Sequence, residues 1–398
     1  MRILICLTYY RPHYSGLTIY TERLAKALAN RGHHVSILTS RFNESLSTTE
    51  VSDGVTIHRL NVLMRISKGV IMPSMPARAY DLIRQADVVN LHVPQLDAAP
   101  DAVLSRILGR PVVLTYHCDL HLPKGFIHGI ANQVSHLANH VSAGMANVII
   151  TNTRDYAENS PFLTKYLDKV GIINPPAELP DISKEDLERF QQDWNIDPSQ
   201  PVIGMAARLA SEKGVEYLVE AMPKILEKHK GARVLFVGQY ENLLGEEKYA
   251  QRLTPLIDKL KGHWTFLGNV NNKDLTAFYK SCDLTVLPST NPTESFGMVQ
   301  IESMICGVPV VASNMPGIRH PVQSTGMGLI VPAKNSTALA NAILEILDHP
   351  HKYQGDSDFI RKLYSPDSVA EQYEQYFVKI IKNRKTKSKN INHGNSHG

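Results

Sequence analysis

Two carboxylates, Glu294 and Glu302, stand eight residues apart in the segment ESFGMVQIESMICGVPVVAS, with Gly297 between them. The apolar-periodic run that follows Gly297 reads as a helix through Cys306 closed by Gly307, and Leu284–Leu287 before it reads as a strand. A strand, a glycine loop and a helix start offer bare backbone N–H groups and the positive end of a helix to an anion such as a diphosphate. At ~1.5 Å of rise per residue the two carboxylates would lie at most about 12 Å apart. That is too far for one shared metal or a carboxylate dyad, and it suits the two ends of an extended ligand such as a nucleotide sugar. A carboxylate on the helix can accept hydrogen bonds from a ribose diol. The plainer alternative makes Glu294 a helix cap and Glu302 a solvated residue, yet Glu302 sits among Val299, Ile301, Met304 and Ile305.

Other chemistries lack their marks. There is no GxGxxG after the first strand, no GxxxxGK[ST] and no GxSxG elbow. One Asp-x-Asp, Asp356–Asp358, could hold a divalent cation, but it follows His349–Pro350 in a polar turn and reads as a solvated loop or helix cap.

The scaffold around these residues is an alternation of strands and helices. Arg2–Leu7, Val35–Leu38, Val55–Leu60, Val88–Leu91, Val112–Tyr116 and Val148–Thr151 are β-rich runs. Between them, Leu17–Asn30 and Ile127–Met145 read as helices. Such alternation implies βαβ units and a parallel sheet buried on both faces. Asn174–Pro180, with three prolines, interrupts the pattern. It restarts with Val202–Met205, a helix over Val215–Lys228, then Val234–Val237, Trp264–Leu267, Leu284–Leu287, Val308–Ala312 and Leu329–Val331. The reading is α/β: two doubly wound domains over residues 1–173 and 182–364, a linker at 174–181, a helix over 365–380 packing back on the first domain, and a disordered basic tail at 381–398.

At 398 residues and 43% hydrophobic content the chain can bury the cores of two domains. No apolar run reaches the ~18–20 residues of a membrane span. The four cysteines show no paired or metal-finger spacing and no secretory signal precedes them, so a reduced, cytoplasmic setting is expected. Net charge is +4, with a basic N-terminal half and an acidic C-terminal half, which suggests that one domain faces an anionic partner. Nucleic acid is the alternative partner, but no helix-turn-helix, zinc-finger or aromatic RNP signature supports it, and no nucleic acid is expected to bind.

The Glu294–Gly307 segment closely resembles the E-x7-E signature of retaining GT-B glycosyltransferases of family 4. GMAARLASEKGVEYLVEA resembles that family's entry motif to the C-terminal domain, FLGNV at Phe266–Val270 its base-binding loop, and RPHYSGLTIYTERLAKALANRGHHV its N-terminal glycine loop and helix. The resemblance implies two Rossmann-like domains facing across a cleft. Arg208 and Lys213 would hold the donor diphosphate; Leu267 and Val270 would line the base; and Phe296, Gly297, Met298, Val299, Glu294 and Glu302 would meet phosphate, sugar and ribose. Charge builds on the departing phosphate when a sugar–diphosphate bond breaks, and preorganised cations such as Arg208 and Lys213 stabilise it. Gly16 would present its N–H to phosphate, although Ser15–Gly16 replaces a pair of glycines common in the family. His117, after Val112–Tyr116, would lie at the donor sugar, with Asp119 a weaker companion and His92 and His13 on neighbouring loops. Together His117, Glu294, Arg208 and Lys213 form the expected catalytic set.

The implied activity is transfer of a hexose, glucose first, from a nucleoside-diphosphate donor, expected to be UDP-linked, to a hydroxyl of a glycan or lipid-linked glycan. The anomeric configuration would be retained, with no cofactor and no metal. Asn61–Arg84, which mixes Met and Ile with Arg65, Lys68, Arg78 and Arg84, could dock a lipid-linked acceptor at the inner membrane face or simply be a solvated basic loop. A nucleotide-sugar epimerase of the same fold and a non-catalytic GT-B subunit are the rival readings.

Overall fold

The computed structural model describes residues 1–66, 69–119, 126–241, 243 and 245–394. The chain divides into two compact units, Met1–Pro176 with Ser365–Gly398, and Ala177–Tyr364. Each is built on one sheet.

In the first unit the strands are β1 (Arg2–Cys6), β2 (His34–Ser40), β3 (Thr49–Ser52), β4 (Val55–Leu60), β5 (Met64–Ile66), β6 (Gly69–Ile71), β7 (Val88–Val93), β8 (Val112–Tyr116), β9 (Val148–Thr151) and β10 (Val170–Ile172). Eight of them form one sheet in the order β10-β9-β8-β7-β1-β2-β4-β3, while β5 and β6 make a separate antiparallel hairpin. All pairings in the large sheet are parallel except β3 with β4, an edge strand added by a tight turn at Asp53–Gly54. Strands β1, β7 and β8 are buried almost throughout, as parallel strands covered on both faces must be.

The second unit carries β11 (Val202–Ala206), β12 (Arg233–Val237), β13 (Trp264–Gly268), β14 (Leu284–Leu287), β15 (Val310–Ser313) and β16 (Gly328–Val331), all parallel, in the order β13-β12-β11-β14-β15-β16. In each sheet the strand order reverses once, between β1 and β7 and between β11 and β14. Loops leaving the carboxyl ends of strands at such a reversal diverge to opposite faces and open a crevice for ligands. Both reversals border segments singled out by residue chemistry: Gly16 follows β1, and the Arg208 and Glu294 loops follow β11 and β14.

The last helix, Pro366–Gly394, continues well past Ile380, where disorder was expected to begin. Val369, Ala370, Tyr373 and Phe377 are fully buried in the first unit's core beside Ile3, Ile5, Tyr20 and Leu24. Their helical spacing gives one apolar stripe, and each large side chain so buried contributes about 1.5–3 kcal/mol. At its rim Arg31 Nη2 meets Glu374 at 2.7 Å and Arg31 Nη1 meets Asp367 at 2.8 Å.

Asn61–Arg84 is not one loop: it folds as the hairpin β5–β6 and a helix, Met75–Gln85. Lys68 lies outside the described residues. No helix among the described residues is long and apolar enough to cross a membrane.

Candidate functional site

The second unit brings four of the expected residues together at its strand reversal. After β11 the chain turns through Arg208 and a short 3-10 turn, Ser211–Lys213, into the helix Val215–Lys228. Gly214 joins them with φ +67°, and a Cβ there would lie 2.1 Å from the Pro288 carbonyl oxygen, so only glycine lets this turn approach the loop after β14. That loop returns the contact: Thr290 N–H donates to the Glu212 carbonyl at 2.9 Å. The Lys213 ammonium then donates directly to Glu294 Oε2, both side chains being about one-fifth exposed. Arg208 is half exposed and donates to Glu212 Oε1 at 2.8 Å.

Gly297 starts the helix Met298–Ile305 with φ +78° and no side-chain cap. A Cβ at 297 would fall 2.3 Å from Leu287 Cδ2, so glycine is required both by conformation and by space. Glu294 therefore is not the helix cap; it holds Lys213. Glu302 is not solvated either. It is buried at 6% exposure, and the Tyr279 hydroxyl donates to its Oε2 at 3.3 Å. Burial, then the nearby Glu302, raises the Tyr279 pKa and keeps the phenol protonated as that donor.

Phe296 is 2% exposed and packs on Tyr364, with ring centroids 6.0 Å apart. Its side chain is core, which leaves the backbone as the part able to meet a ligand. The same holds for Leu267, while Val270, Met298 and Val299 are partly buried against the core clusters. Sequence reasoning missed Gly238. At φ +125° it presses on the Arg208 turn, where a Cβ would stand 2.1 Å from the Ala207 carbonyl oxygen. Leu209 N–H donates to Gln239 O at 2.9 Å and Ser211 N–H to Glu246 Oε2 at 3.0 Å, so the β12 loop latches the Arg208 turn. The signal available was a lone Gly ending a β-rich run.

In the first unit Gly16 is the first residue of the helix Gly16–Asn30. Ser15 is its N-cap: Thr18 N–H donates to Ser15 Oγ at 3.2 Å and Ser15 N–H to Thr18 Oγ1 at 2.8 Å. Ser15 has an extended backbone, φ −157°, that any residue adopts. The serine in place of glycine thus closes a capping box.

His117 follows β8, half-buried, its backbone N–H donating to Val93 O at 3.1 Å. Beneath it lies His92, which is not a loop residue but a buried member of β7. His117 Nε2 and His92 Nδ1 are 3.0 Å apart. The Tyr20 ring stands edge-on to His117 with centroids 4.9 Å apart. Burial pushes the His117 pKa down to about 3 and His92 well below its ordinary range, the latter helped by His117. Both rings are therefore neutral at physiological pH. Asp119 is an anchor: buried, it accepts from Tyr116 at 2.8 Å, Ser160 at 2.9 Å and Tyr156 at 3.0 Å. Three hydroxyl donors to one buried carboxylate fix the chain two residues beyond His117. His13 stacks on Tyr9 at 4.9 Å. Asp356 caps the helix Ser357–Leu363, accepting from Phe359 N–H at 2.8 Å.

Comparison with known proteins agrees with this arrangement. Residues 186–362 match the family "Glycosyl transferases group 1", and residues 15–162 match "Glycosyl transferase 4-like domain". The chain is 27% identical to an uncharacterized glycosyltransferase of Methanocaldococcus jannaschii, covering 94% of this chain and 96% of that one. It is 24% identical to a D-inositol 3-phosphate glycosyltransferase of Pseudarthrobacter chlorophenolicus, covering 84% and 82%. Among solved structures, HepE of Anabaena in complex with UDP-glucose superposes with a TM-score of 0.73 at 21% identity, covering 95% of this chain and 100% of that one. One family match falls within each unit, and the structural likeness runs through both. The chain belongs to the group 1 glycosyltransferases of family 4, hexose-transferring enzymes built on the GT-B fold.

Proposed function

We propose that the protein moves a hexose, glucose first, from a UDP-linked donor to a hydroxyl of a glycan or lipid-linked glycan, with retention and without a metal. The observation that carries this reading is the Lys213–Glu294 contact, which ties the β11 and β14 loops at the strand reversal beside the uncapped helix start at Gly297. A diphosphate there meets Lys213, Arg208 and free backbone N–H groups. HepE, which shares the fold, is described in complex with UDP-glucose. In the reaction the acceptor oxygen bonds to the anomeric carbon on the face that the diphosphate leaves. The acceptor proton passes to a departing phosphate oxygen, whose charge the two cations stabilise.

The acceptor side is assigned to the first unit. Leu63, Met64, Ile71 and Tyr80 are exposed in the segment that also carries the exposed Arg65, an apolar and basic composition suited to a lipid-linked acceptor at an anionic, cytoplasmic membrane face. The test is transfer from UDP-, GDP- and ADP-hexoses with chelator present, the anomeric configuration of product being read by NMR. Transfer that needs added metal, inverts the configuration, or fails with every donor overturns the corresponding part. Isomerised donor appearing without acceptor would instead establish an epimerase.

A further inference from the structure

Below His117 runs an unbroken line of polar groups drawn from the helix Gly16–Asn30, β7, β8 and the last helix. The Tyr20 and Tyr373 hydroxyls are 2.8 Å apart. Tyr373 and Thr115 hydroxyls are 3.0 Å apart. Thr115 Oγ1 lies 2.8 Å from Asn90 Oδ1, and Asn90 Nδ2 lies 3.1 Å from His92 Nε2. His92 Nδ1 faces both Thr21 Oγ1 and His117 Nε2, at 3.0 Å each. Tyr20, Tyr373, Thr115, Asn90 and His92 are all at most 2% exposed, so bulk solvent does not reach them.

Such a line can be protonated in two directions, and its ends decide between them. In one, Tyr20 donates to Tyr373, Tyr373 to Thr115, Thr115 to Asn90 Oδ1, Asn90 Nδ2 to His92 Nε2, and His92 Nδ1–H to His117 Nε2. Every hydroxyl, and the His92 ring N–H, then has an acceptor. In the other direction the Asn90 amide turns over, each donor reverses, and the Tyr20 O–H is left buried with no acceptor among the described residues. A buried donor without a partner is the costly outcome. Thr21 fits the same direction: with its hydroxyl donating to Leu17 O at 2.9 Å, it accepts from His92 and shares the Nδ1 proton with His117 Nε2. Because both imidazoles are neutral, His117 Nε2 must be the acceptor and its own proton must sit on Nδ1, a nitrogen with no partner among the described residues.

We propose that Tyr20, Tyr373, Thr115, Asn90 and His92 form a one-way hydrogen-bond chain that fixes His117 as the Nδ1–H tautomer. His117 then meets the sugar as a neutral hydrogen-bond donor to an oxygen. The five are positioning residues, and the last link rests on the proposed glycosyl transfer and on the family resemblance, which implies that His117 lies at the donor sugar. The chain also gives the last helix a role beyond packing, since Tyr373 supplies the hydroxyl that gives the Tyr20 proton its acceptor. With donors aligned head to tail, each bond polarises the next.

The test uses the full chain labelled with 15N-histidine, the His117 signals being identified by their loss in His117→Gln. The expected wild-type spectrum shows a protonated Nδ1 and an unprotonated Nε2 on His117. Thr115→Val keeps shape and strand preference but removes the hydroxyl that orients Asn90, so the expected result is a mixture of His117 tautomers. A fall of about tenfold in kcat, with the Kd for UDP unchanged, is expected alongside it. A wild-type His117 protonated on Nε2, or a Thr115→Val spectrum identical to wild type, overturns the chain. A tautomer that changes as expected while kcat does not sustains the chain and overturns the sugar contact of His117 instead.

Discussion

In the second unit the polar groups of the candidate donor site are charged and reachable from solvent. Lys213 and Glu294 are about one-fifth exposed, and Arg208 is half exposed. In the first unit the groups beneath His117 are neutral and sealed, and two histidines have given up their protons to burial. Under the proposed function the contrast follows from what each region must do. A diphosphate brings two or more negative charges, which mobile cations at a wet crevice can meet and release. A sugar hydroxyl is neutral, so a charge buried beside it would cost desolvation without return. There, direction rather than charge is the usable property, and it is set by a network in which every donor is matched.

The largest expected effect tests the charged side. Lys213→Ala removes one preorganised cation from the leaving phosphate and should lower kcat/KM by about 10²–10³-fold, or about 3–4 kcal/mol. Arg208→Ala, starting from a more exposed group already paired with Glu212, should lose less, about tenfold. Steady-state rates with a fixed donor read both. If Lys213→Ala retains more than a third of wild-type kcat/KM, the second unit does not work through charge, and the contrast between the two regions fails.

The two regions also differ in how far the sequence reveals them. Gly297, Glu294 and Lys213 act through short loops directly after strands, where residue type and spacing along the chain equal neighbourhood in space. The chain beneath His117 has no such local signature. Tyr20 reads as one more apolar residue of a helix, and it meets Tyr373 across more than three hundred residues. Thr115 reaches Asn90 only because the β7–β8 register sets His92 beside Thr115, and register in a buried parallel sheet is fixed by whole-sheet packing. Phe296 shows the converse: the motif singled out a residue whose side chain is core, which leaves its backbone to meet a ligand. Strand β3 and the β5–β6 hairpin were illegible because neither shows clear alternation of apolar and polar residues. The parallel sheet of each unit, by contrast, followed from the βαβ pattern alone.

Gly297→Ala tests whether the second unit's site depends on backbone as much as on charge. The alanine would adopt φ +78° with its Cβ pressed on Leu287 and Gln300, at an expected cost of about 2–3 kcal/mol. Urea denaturation reads the loss of stability. A fully stable Gly297→Ala variant would mean that the loop has another conformation open to it.

Next in size is the acid response of the sealed region. His92 and His117 have folded pKa values below the unfolded value of ~6.5, His117 at about 3. Below pH ~6.5 the unfolded chain takes up protons that the folded one refuses. Stability is therefore full above that pH and declines as pH falls toward the folded values, by up to ~1.4 kcal/mol per pH unit for each histidine. Asp101 works in the opposite sense: burial raises its pKa to about 8, so its contribution weakens stability as pH rises from ~4 toward 8. The two slopes overlap, so the measurement is a difference: urea midpoints at pH 7 and 5.5 for wild type and for His92→Gln. The variant should start lower and lose less on acidification. Equal losses would show that His92 titrates freely, and the one-way chain could not then be neutral.

The smallest expected effect concerns Ser15, where two demands meet at one residue. Under the proposed function the glycine loop lets phosphate approach Gly16 N–H, which favours a small neighbour. The helix Gly16–Asn30, which carries Tyr20 and Thr21 into the sealed chain, must also begin firmly. A serine serves the second demand through its capping box with Thr18. Ser15→Ala deletes the cap and should cost about 1 kcal/mol; Ser15→Gly should cost only a few tenths, because glycine is itself tolerated at an N-cap. Melting temperatures of the two variants read this order, and donor KM reads the other demand. If Ser15→Gly lowers KM while Ser15→Ala does not, backbone freedom at this loop limits donor binding and the serine trades affinity for a fixed helix start. If the two variants have the same KM, the cap is the whole of what Ser15 contributes, and the loop that meets the charged ligand is set by Gly16 alone.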